Sequence, residues 1–216
     1  MEKRNKADGL LKSYDRLAGE YARRLFDELD HKPLDRALLA RFTQETQGLG
    51  PVCDLGCGPG HVTRHLRWLG AEAFGVDLSA GMIEQARRLN PEIEFRQGDM
   101  RCLDVEDGSW GGIVAFYSIV HMPREVVPRA LEEMLRVLRP GGLLLLSFHV
   151  GDEIRHFDEL WGQEVSLDFH FFRVEDMRSL LEEAGFEVVE AVERSPYGED
   201  VEAQTQRAYV FARKPV

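Results

Sequence analysis

The stretch "VCDLGCGPGHVTRHL", residues 52–66, begins with the apolar residues of a short strand and ends with the apolar spacing of a helix. Between them, glycines occupy alternate positions, Gly56, Gly58 and Gly60. Glycines permit a tight turn with positive φ and let a ligand approach main-chain N–H groups without a Cβ in the way. This order of strand, glycine loop and helix predicts a ligand site at the carboxyl end of the strand.

The rest of the chain alternates strand and helix patterns. Short apolar runs predict further strands in "AEAFGVDL", "EIEFRQGD", "IVAFYSIV" and "LLLLSFH". Helical spacing predicts helices after the glycine loop, from Ser79 to Asn90–Pro91, from Pro123 to "RPGG", and over 174–184. The runs "FEVVEAV" and "TQRAYVFARK" have no helix between them and predict a closing hairpin. Strands joined by helices indicate an α/β fold, in which a parallel sheet is covered on both faces.

Composition and charge limit the classes of function. The chain has 216 residues and is 44 % hydrophobic, which suits a single domain over 1–216. A net charge of −11 argues against nucleic acid, since phosphate contacts need a clustered basic surface. No apolar run suits a membrane span or a signal peptide, so we expect a cytoplasmic protein without membrane contact. Cys53, Cys57 and Cys102 have the wrong spacing for zinc or a disulfide framework, and no metal is predicted.

Acids end three successive predicted strands: Asp54, Asp77 and Asp99. Asp77 is placed to accept hydrogen bonds from both ribose hydroxyls of a nucleoside. Asp99 is placed to accept from an adenine amino group, with the main chain of Met100 at the edge of the ring. Asp54 either accepts from an ammonium group of the ligand or orients the amides of the loop. Together these acids predict a nucleoside site.

Two nucleoside ligands compete, a dinucleotide and S-adenosylmethionine. A pyrophosphate site prefers glycines spaced G-x-G-x-x-G, whereas this chain has G-x-G-x-G. A carboxylate at Asp54 would also repel a pyrophosphate. The spacing therefore favours S-adenosylmethionine, and a nicotinamide-dependent oxidoreductase is the disfavoured alternative.

These motifs resemble those of class I S-adenosylmethionine-dependent methyltransferases of the small-molecule type. The resemblance covers about residues 50–148 and rests on "DLGCGPG", "GVDLS", "GDM" and "LRPGGLLLLS". It implies a Rossmann-like three-layer sandwich whose seven-stranded sheet has the order 3-2-1-4-5-7-6, with strand 7 antiparallel. It also implies S-adenosyl-L-methionine as cofactor and a small-molecule acceptor methylated at O, N, S or C. One departure is Gly111, where many relatives carry an acid.

The resemblance also implies the cofactor-binding residues. In the core of the chain they are Asp54, Gly56, Cys57, Gly58, Gly60, Asp77, Leu78, Ser79, Met82, Asp99, Met100, Phe116 and His121. In "SYDRLAGEYARRL", Tyr14 and Tyr21 lie on one helical face, and packing is the plain explanation. The family often carries a similar segment that closes over the cofactor. We therefore expect residues 1–47 to form a helical lid in which both tyrosines contact the cofactor.

Histidines mark the predicted acceptor side. His121 follows the fourth strand and His149 ends the fifth, where the methyl group should emerge. Residues 149–172, which include His170, are too many for a simple connection and predict an inserted cap over the acceptor. An imidazole has a suitable pKa for proton removal near neutral pH, so His121, His149 and His170 are the candidate catalytic residues. A base is needed only if the acceptor arrives protonated.

A second alternative is a protein that binds the cofactor but does not catalyse methyl transfer. A catalytically silent module that binds S-adenosylmethionine and regulates a partner would carry the same glycine loop, because binding and turnover are separable. The sequence identifies neither the methyl acceptor nor the oligomeric state.

Overall fold

The computed structural model describes residues 2–216. In the first helix it describes the side chains of the residues that follow position 8. The strands are β1 (Val52–Leu55), β2 (Ala73–Asp77), β3 (Phe95–Gln97), β4 (Trp110–Phe116), β5 (Leu138–His149), β6 (Ile154–Leu160), β7 (Gln163–His170), β8 (Glu187–Arg194) and β9 (Arg207–Arg213). The helices are α1 (Glu2–Leu25), α2 (Pro33–Glu45), α3 (His61–Trp68), α4 (Ala80–Leu89), α5 (Val127–Val137) and α6 (Val174–Glu183). Short 3₁₀ turns lie at Glu28–His31 and Ile119–His121.

Seven strands form one sheet in the order β3-β2-β1-β4-β5-β9-β8. Strands β1 to β5 pair in parallel, whereas β9 is antiparallel to both β5 and β8. The predicted fold class, strand order and antiparallel edge are confirmed, with β8 and β9 as the predicted sixth and seventh strands. The remaining pair, β6 and β7, forms a separate two-stranded sheet inserted after β5.

The alternation of side chains along β4 and β5 divides the core between the two faces of the sheet. Ile113 and Leu144 pack on one side with α5 and α6, where Leu131 is fully buried. Val114 and Leu145 pack on the other side with apolar residues of α2 and α3. Both faces are therefore covered, as a parallel sheet requires. Within residues 2–216, no helix has the length and apolar character needed to cross a membrane.

The predicted element boundaries were wrong around the end of β4. The strand was expected to continue through Val120, but it ends at Phe116 because Tyr117 has a φ of 50° and turns the chain. The 3₁₀ turn follows, and α5 begins at Val127 instead of Pro123. The proline in its first turn is Pro128, whose missing N–H is tolerated there.

The segment predicted to be a cap, residues 149–172, contains an antiparallel hairpin that was not predicted. Strands β6 and β7 turn at Trp161 and Gly162, which have φ angles of 54° and 78°. Strand β7 packs on α1: Ser166 N donates to Ser13 Oγ at 3.0 Å, and the side chain of Leu167 is buried in a cluster with α1. The hairpin is thereby fixed against the amino-terminal helix.

The departure at Gly111 has a steric cause in this chain. A Cβ there would lie 2.6 Å from the carbonyl carbon of Leu49 and 2.8 Å from the nitrogen of Gly50. The loop before β1 therefore packs directly on β4, which leaves no room for an acidic side chain.

We expect Gly111→Ala to lower the free energy of unfolding by about 1–3 kcal/mol, because the backbone of the neighbouring loop must move. Urea denaturation measures the change. Gly19→Ala is the control, since no atom lies within 4 Å of a Cβ at this helical position and alanine should stabilise the helix. An equal free energy of unfolding in Gly111→Ala and the parent would show that the loop before β1 can move without loss of stability.

Candidate functional site

The glycine loop after β1 has the predicted backbone conformation. The φ angles are positive at each of its glycines, 81° at Gly56, 52° at Gly58 and 85° at Gly60. A Cβ on Gly56 would overlap the Cβ of Ser118, so the loop lies directly against the segment that follows β4. Gly56 N also donates to Val76 O at 2.7 Å, which ties the loop to β2.

Asp77 connects the glycine loop to the next helix. Its Oδ2 accepts from Gly58 N at 2.8 Å, and its Oδ1 accepts from Ser79 N at 2.8 Å. Ser79 in turn caps α4, since its Oγ accepts from Met82 N at 3.1 Å. Burial raises the pKa of Asp77, and the main-chain hydrogen bonds oppose that rise. A carboxylate oxygen can accept more than one hydrogen bond, so Asp77 keeps acceptor capacity for a ligand.

Asp54 lies beneath the loop with 1 % of its surface exposed. Its Oδ2 accepts from Thr63 Oγ1 at 2.6 Å, which joins β1 to α3. Burial raises the pKa of Asp54 to about 6, against the opposing effect of the Thr63 hydrogen bond. Of the two roles predicted for Asp54, these contacts favour the one that supports the loop.

Other residues predicted to bind the cofactor are buried or already form hydrogen bonds within the protein. The side chains of Cys57 and Met82 are buried at 2 % and 1 % exposure. Asp99 is bound by Arg101, whose Nη2 lies 2.6 Å from Oδ2. Burial would raise the pKa of Asp99, but the hydrogen bonds from Arg101 lower it. Met100 packs against the main core, and the carbonyl of Leu78 accepts from Gln97 Nε2 at 3.0 Å.

Helix α1 lies across the loop and the start of α4. Tyr21 Cε1 is 3.8 Å from the position of a Cβ on Gly58, and the rings of Tyr14 and Tyr21 are 6.2 Å apart. Asp15 Oδ1 accepts from Ser79 Oγ at 2.6 Å and from Gly81 N at 2.9 Å. Sequence reasoning missed Asp15, although it stands beside Tyr14 in the quoted tyrosine segment. Its carboxylate fastens α1 to the amino terminus of α4, where negative charge is favoured.

His121 is paired with Tyr14 beneath the hairpin. His121 Nδ1 lies 2.9 Å from Asp168 O, and because a carbonyl only accepts, Nδ1 carries the proton. Nε2 therefore accepts from the hydroxyl of Tyr14 at 2.5 Å. Burial lowers the pKa of His121 to about 4 and raises that of Tyr14. At neutral pH the pair is a neutral imidazole and a neutral phenol.

The three predicted catalytic histidines do not form one cluster. His170 is buried at the end of β7, on the strand that holds the Asp168 carbonyl. His149 lies at the end of β5 in a different group, between the rings of Tyr117 and Phe171. Phe116 belongs to the same side, with its ring 5.9 Å from that of Tyr209.

Ser118 Oγ is an orphaned polar atom of this site. It is buried, and among the described residues it has no hydrogen-bond partner. It lies 3.2 Å from the position of a Cβ on Gly56, at the inner side of the glycine loop. A polar ligand held by the loop would satisfy it, so the loop is suited to a ligand with donors or acceptors at this point.

Comparison with known proteins finds a methyltransferase domain and methyltransferase relatives. Residues 52–142 match the model of a methyltransferase domain. The malonyl-[acyl-carrier protein] O-methyltransferase of Pectobacterium atrosepticum is 31 % identical over 152 residues, which cover 70 % of this chain and 57 % of that protein. The trans-aconitate 2-methyltransferase of an Azoarcus species is 34 % identical, over 68 % of this chain and 51 % of that protein. The chain thus spans about half the length of the curated relatives it matches.

Solved structures agree on the fold. An S-adenosylmethionine-dependent methyltransferase from Methanosarcina mazei superposes with a TM-score of 0.69 at 19 % identity, over 77 % of this chain and 92 % of that one. At this identity the likeness establishes the architecture. The family resemblance drawn from the motifs is confirmed by the domain match, and the Rossmann-like sheet by the superposition.

Asp54→Asn tests the buried carboxylate beneath the loop. The native state holds the proton of Asp54 up to about pH 6, whereas the unfolded chain releases it near pH 3.8. The parent therefore loses stability as pH rises through this interval, and asparagine, which still accepts from Thr63, does not. We expect the stability of the variant relative to the parent to increase by up to about 3 kcal/mol between pH 4 and pH 7.

Urea denaturation at several pH values measures this difference, with the exposed Asp104→Asn as control. A pH-independent difference for Asp54→Asn would mean that Asp54 stays ionised in the folded protein.

Proposed function

Since residues 52–142 match a methyltransferase domain and the motifs resemble those of class I S-adenosylmethionine-dependent methyltransferases, we propose that the chain binds S-adenosylmethionine and methylates a small organic acceptor. The observation that carries the proposal is the junction of the glycine loop, Asp77 and α1. A nucleoside held there would be bound by groups from β1, β2 and the amino-terminal helix together. The name of one relative, trans-aconitate 2-methyltransferase, supports an acceptor of small size.

The residues of the junction fit the cofactor. Asp77 keeps acceptor capacity for the ribose hydroxyls. Among the described residues, Ser118 Oγ has no hydrogen-bond partner and is available to the ligand at the loop. Tyr21 faces the loop from α1 with Tyr14 beside it, and both would cover the bound ligand. Asp99 would accept from the adenine amino group beside its ion pair with Arg101. Asp54 would act from below, by holding α3 and the loop in place.

When bound, S-adenosylmethionine supplies a methyl group that its sulfonium has already activated. The chain then needs chiefly to position the acceptor and to exclude water. We assign these tasks to two elements, the α1 lid and the β6–β7 cap, which contact each other through Ser13 and Ser166. The base role predicted for His121 stays a prediction: the neutral ring is a weak proton acceptor at pH 7, because its pKa lies at about 4.

Calorimetry with S-adenosylhomocysteine tests cofactor choice. We expect binding of this product and of S-adenosylmethionine, and weakening by about 1.5–3 kcal/mol in Asp77→Ala, the range for hydrogen bonds to a charged group. Asp77→Asn should be milder because the amide still accepts one bond. Glu84→Ala, an exposed acid on α4, is the control. Tight NAD binding without a response to either sulfur compound would favour the oxidoreductase. Binding of S-adenosylmethionine without turnover of any acceptor would favour the catalytically silent module.

Asp15→Ala tests the lid. The substitution removes the hydrogen bonds to Ser79 and Gly81, so α1 should open more readily. We expect S-adenosylhomocysteine to dissociate about 2- to 10-fold faster, the equivalent of a lost hydrogen bond. Stopped-flow fluorescence follows the release. Glu20→Ala on the same helix contacts Arg23 and Arg24 and should leave the rate unchanged; equal rates in the two variants would remove Asp15 from lid closure.

A further inference from the structure

Three rings stand in a row at the carboxyl ends of β4 and β5. The ring of His149 lies 5.1 Å from that of Tyr117 and 5.3 Å from that of Phe171, with interplanar angles of 34° and 30°. Each end of the row is covered by a guanidinium group. Arg207 lies 5.4 Å from the centre of Tyr117, and Arg155 lies 4.6 Å from the centre of Phe171. His149 is therefore held as a ring between two aromatic neighbours.

A short hydrogen-bond chain orients the ring nitrogens of His149. Arg207 Nη1 donates to Thr205 Oγ1 at 3.2 Å, because a guanidinium can only donate. Thr205 Oγ1 lies 2.8 Å from His149 Nδ1. When the Thr205 hydroxyl donates to Nδ1, the neutral ring carries its hydrogen on Nε2. Among the described residues no protein group is hydrogen-bonded to that Nε2, so its N–H is available to a ligand.

The charges around His149 favour an anion. Burial lowers its pKa to about 3, and Arg207, Lys32 and Arg155 lower it further, against the single opposing effect of Glu202. The wider network is balanced, with the cations Lys32, Arg194 and Arg207 paired to the carboxylates Glu28, Asp35 and Glu202. Arg155 is paired to Glu153. Arg207, Lys32 and Arg155 nevertheless act on the ring more strongly than Glu202 does. His149 thus stays neutral at pH 7, and the guanidinium groups of Arg207 and Arg155 lie at the two ends of its row of rings.

His149 also lies on the acceptor side of the proposed cofactor site. It is the last residue of β5, and its neighbour Tyr117 follows β4 directly. The next residue, Ser118, contacts Gly56 of the glycine loop. The ring of His149 is therefore linked to the glycine loop through Tyr117 and Ser118.

We propose that His149 is a specificity-determining residue whose Nε2–H binds a carboxylate of the methyl acceptor, so that the acceptor is a carboxylic acid. The assignment rests on the proposed methyltransferase function. One carboxylate oxygen accepts from Nε2–H, and a lone pair of the other forms the new O–CH₃ bond. The C–S bond breaks with its electron pair going to sulfur, which yields a methyl ester and S-adenosylhomocysteine. No proton is released, so the reaction needs no base.

Acetate and acetamide serve as matched probes, since they differ chiefly in charge. Protein saturated with S-adenosylhomocysteine is titrated with each, and the ¹⁵N and ¹H resonances of the His149 ring are followed by NMR. We expect the Nε2–H tautomer, a shift of its resonance with acetate, and little shift with acetamide.

Variants separate binding by His149 from packing. His149→Phe keeps a ring between Tyr117 and Phe171 but removes the donor, and should weaken acetate binding, measured by calorimetry, at least about tenfold. Thr205→Val removes the hydroxyl that orients the ring and should have a similar effect, whereas Thr205→Ser should restore binding. His156→Phe, an exposed histidine on β6, is the control. Each variant should bind S-adenosylhomocysteine like the parent.

Turnover supplies a second readout. Malonate and trans-aconitate are compared with their amides by formation of S-adenosylhomocysteine, and we expect product only with the acids. Equal affinity for acetate and acetamide, an Nδ1–H tautomer, or methylation of amides but not acids would overturn the assignment. Failure to bind S-adenosylhomocysteine would instead overturn the proposed function, because that measurement precedes the others and does not involve His149.

Discussion

The carboxylate of Asp77 connects the parts from which the candidate site is built. It lies at the end of β2 and accepts from the glycine loop after β1 and from the first residues before α4. The same α4 terminus receives Asp15 from α1 through Ser79 and Gly81. Loop, helix and amino-terminal segment therefore share one small set of charge-assisted hydrogen bonds. Such bonds are stronger than neutral ones, which suits a site whose backbone must hold positive φ angles.

The sheet could be predicted because its signals are local. Apolar runs, the glycine loop and the absence of a helix between the last strands each depend on neighbouring residues, and the strand order followed from the family resemblance. The end of β4 could not be found in this way. Tyr117 adopts a positive φ that its residue type does not favour, and tertiary contacts such as that between its N–H and Ser147 hold it there.

The candidate site was predictable in part. Asp77 and the glycines stand in a compact motif, and the structure brings them into contact. The partner of His121 could not be read from the chain, since Tyr14 is 107 residues away and meets it only after α1 docks. The hairpin was not predicted, although Val165, Leu167 and Phe169 alternate along β7 with the period of two that is typical of a strand. The division of the histidines into two groups depends on the hairpin, so it could not be predicted from the sequence either.

Four consecutive residues of α1 contact three separate parts of the molecule. Ser13 and Arg16 bind β7, Tyr14 binds His121, and Asp15 binds the start of α4. A rigid helix cannot release one of these contacts without straining the others. Under the proposed function, uncovering the nucleoside half of the site therefore also loosens the acceptor half. Under that function, arrival and departure of the two substrates would be coupled in time through one motion of α1.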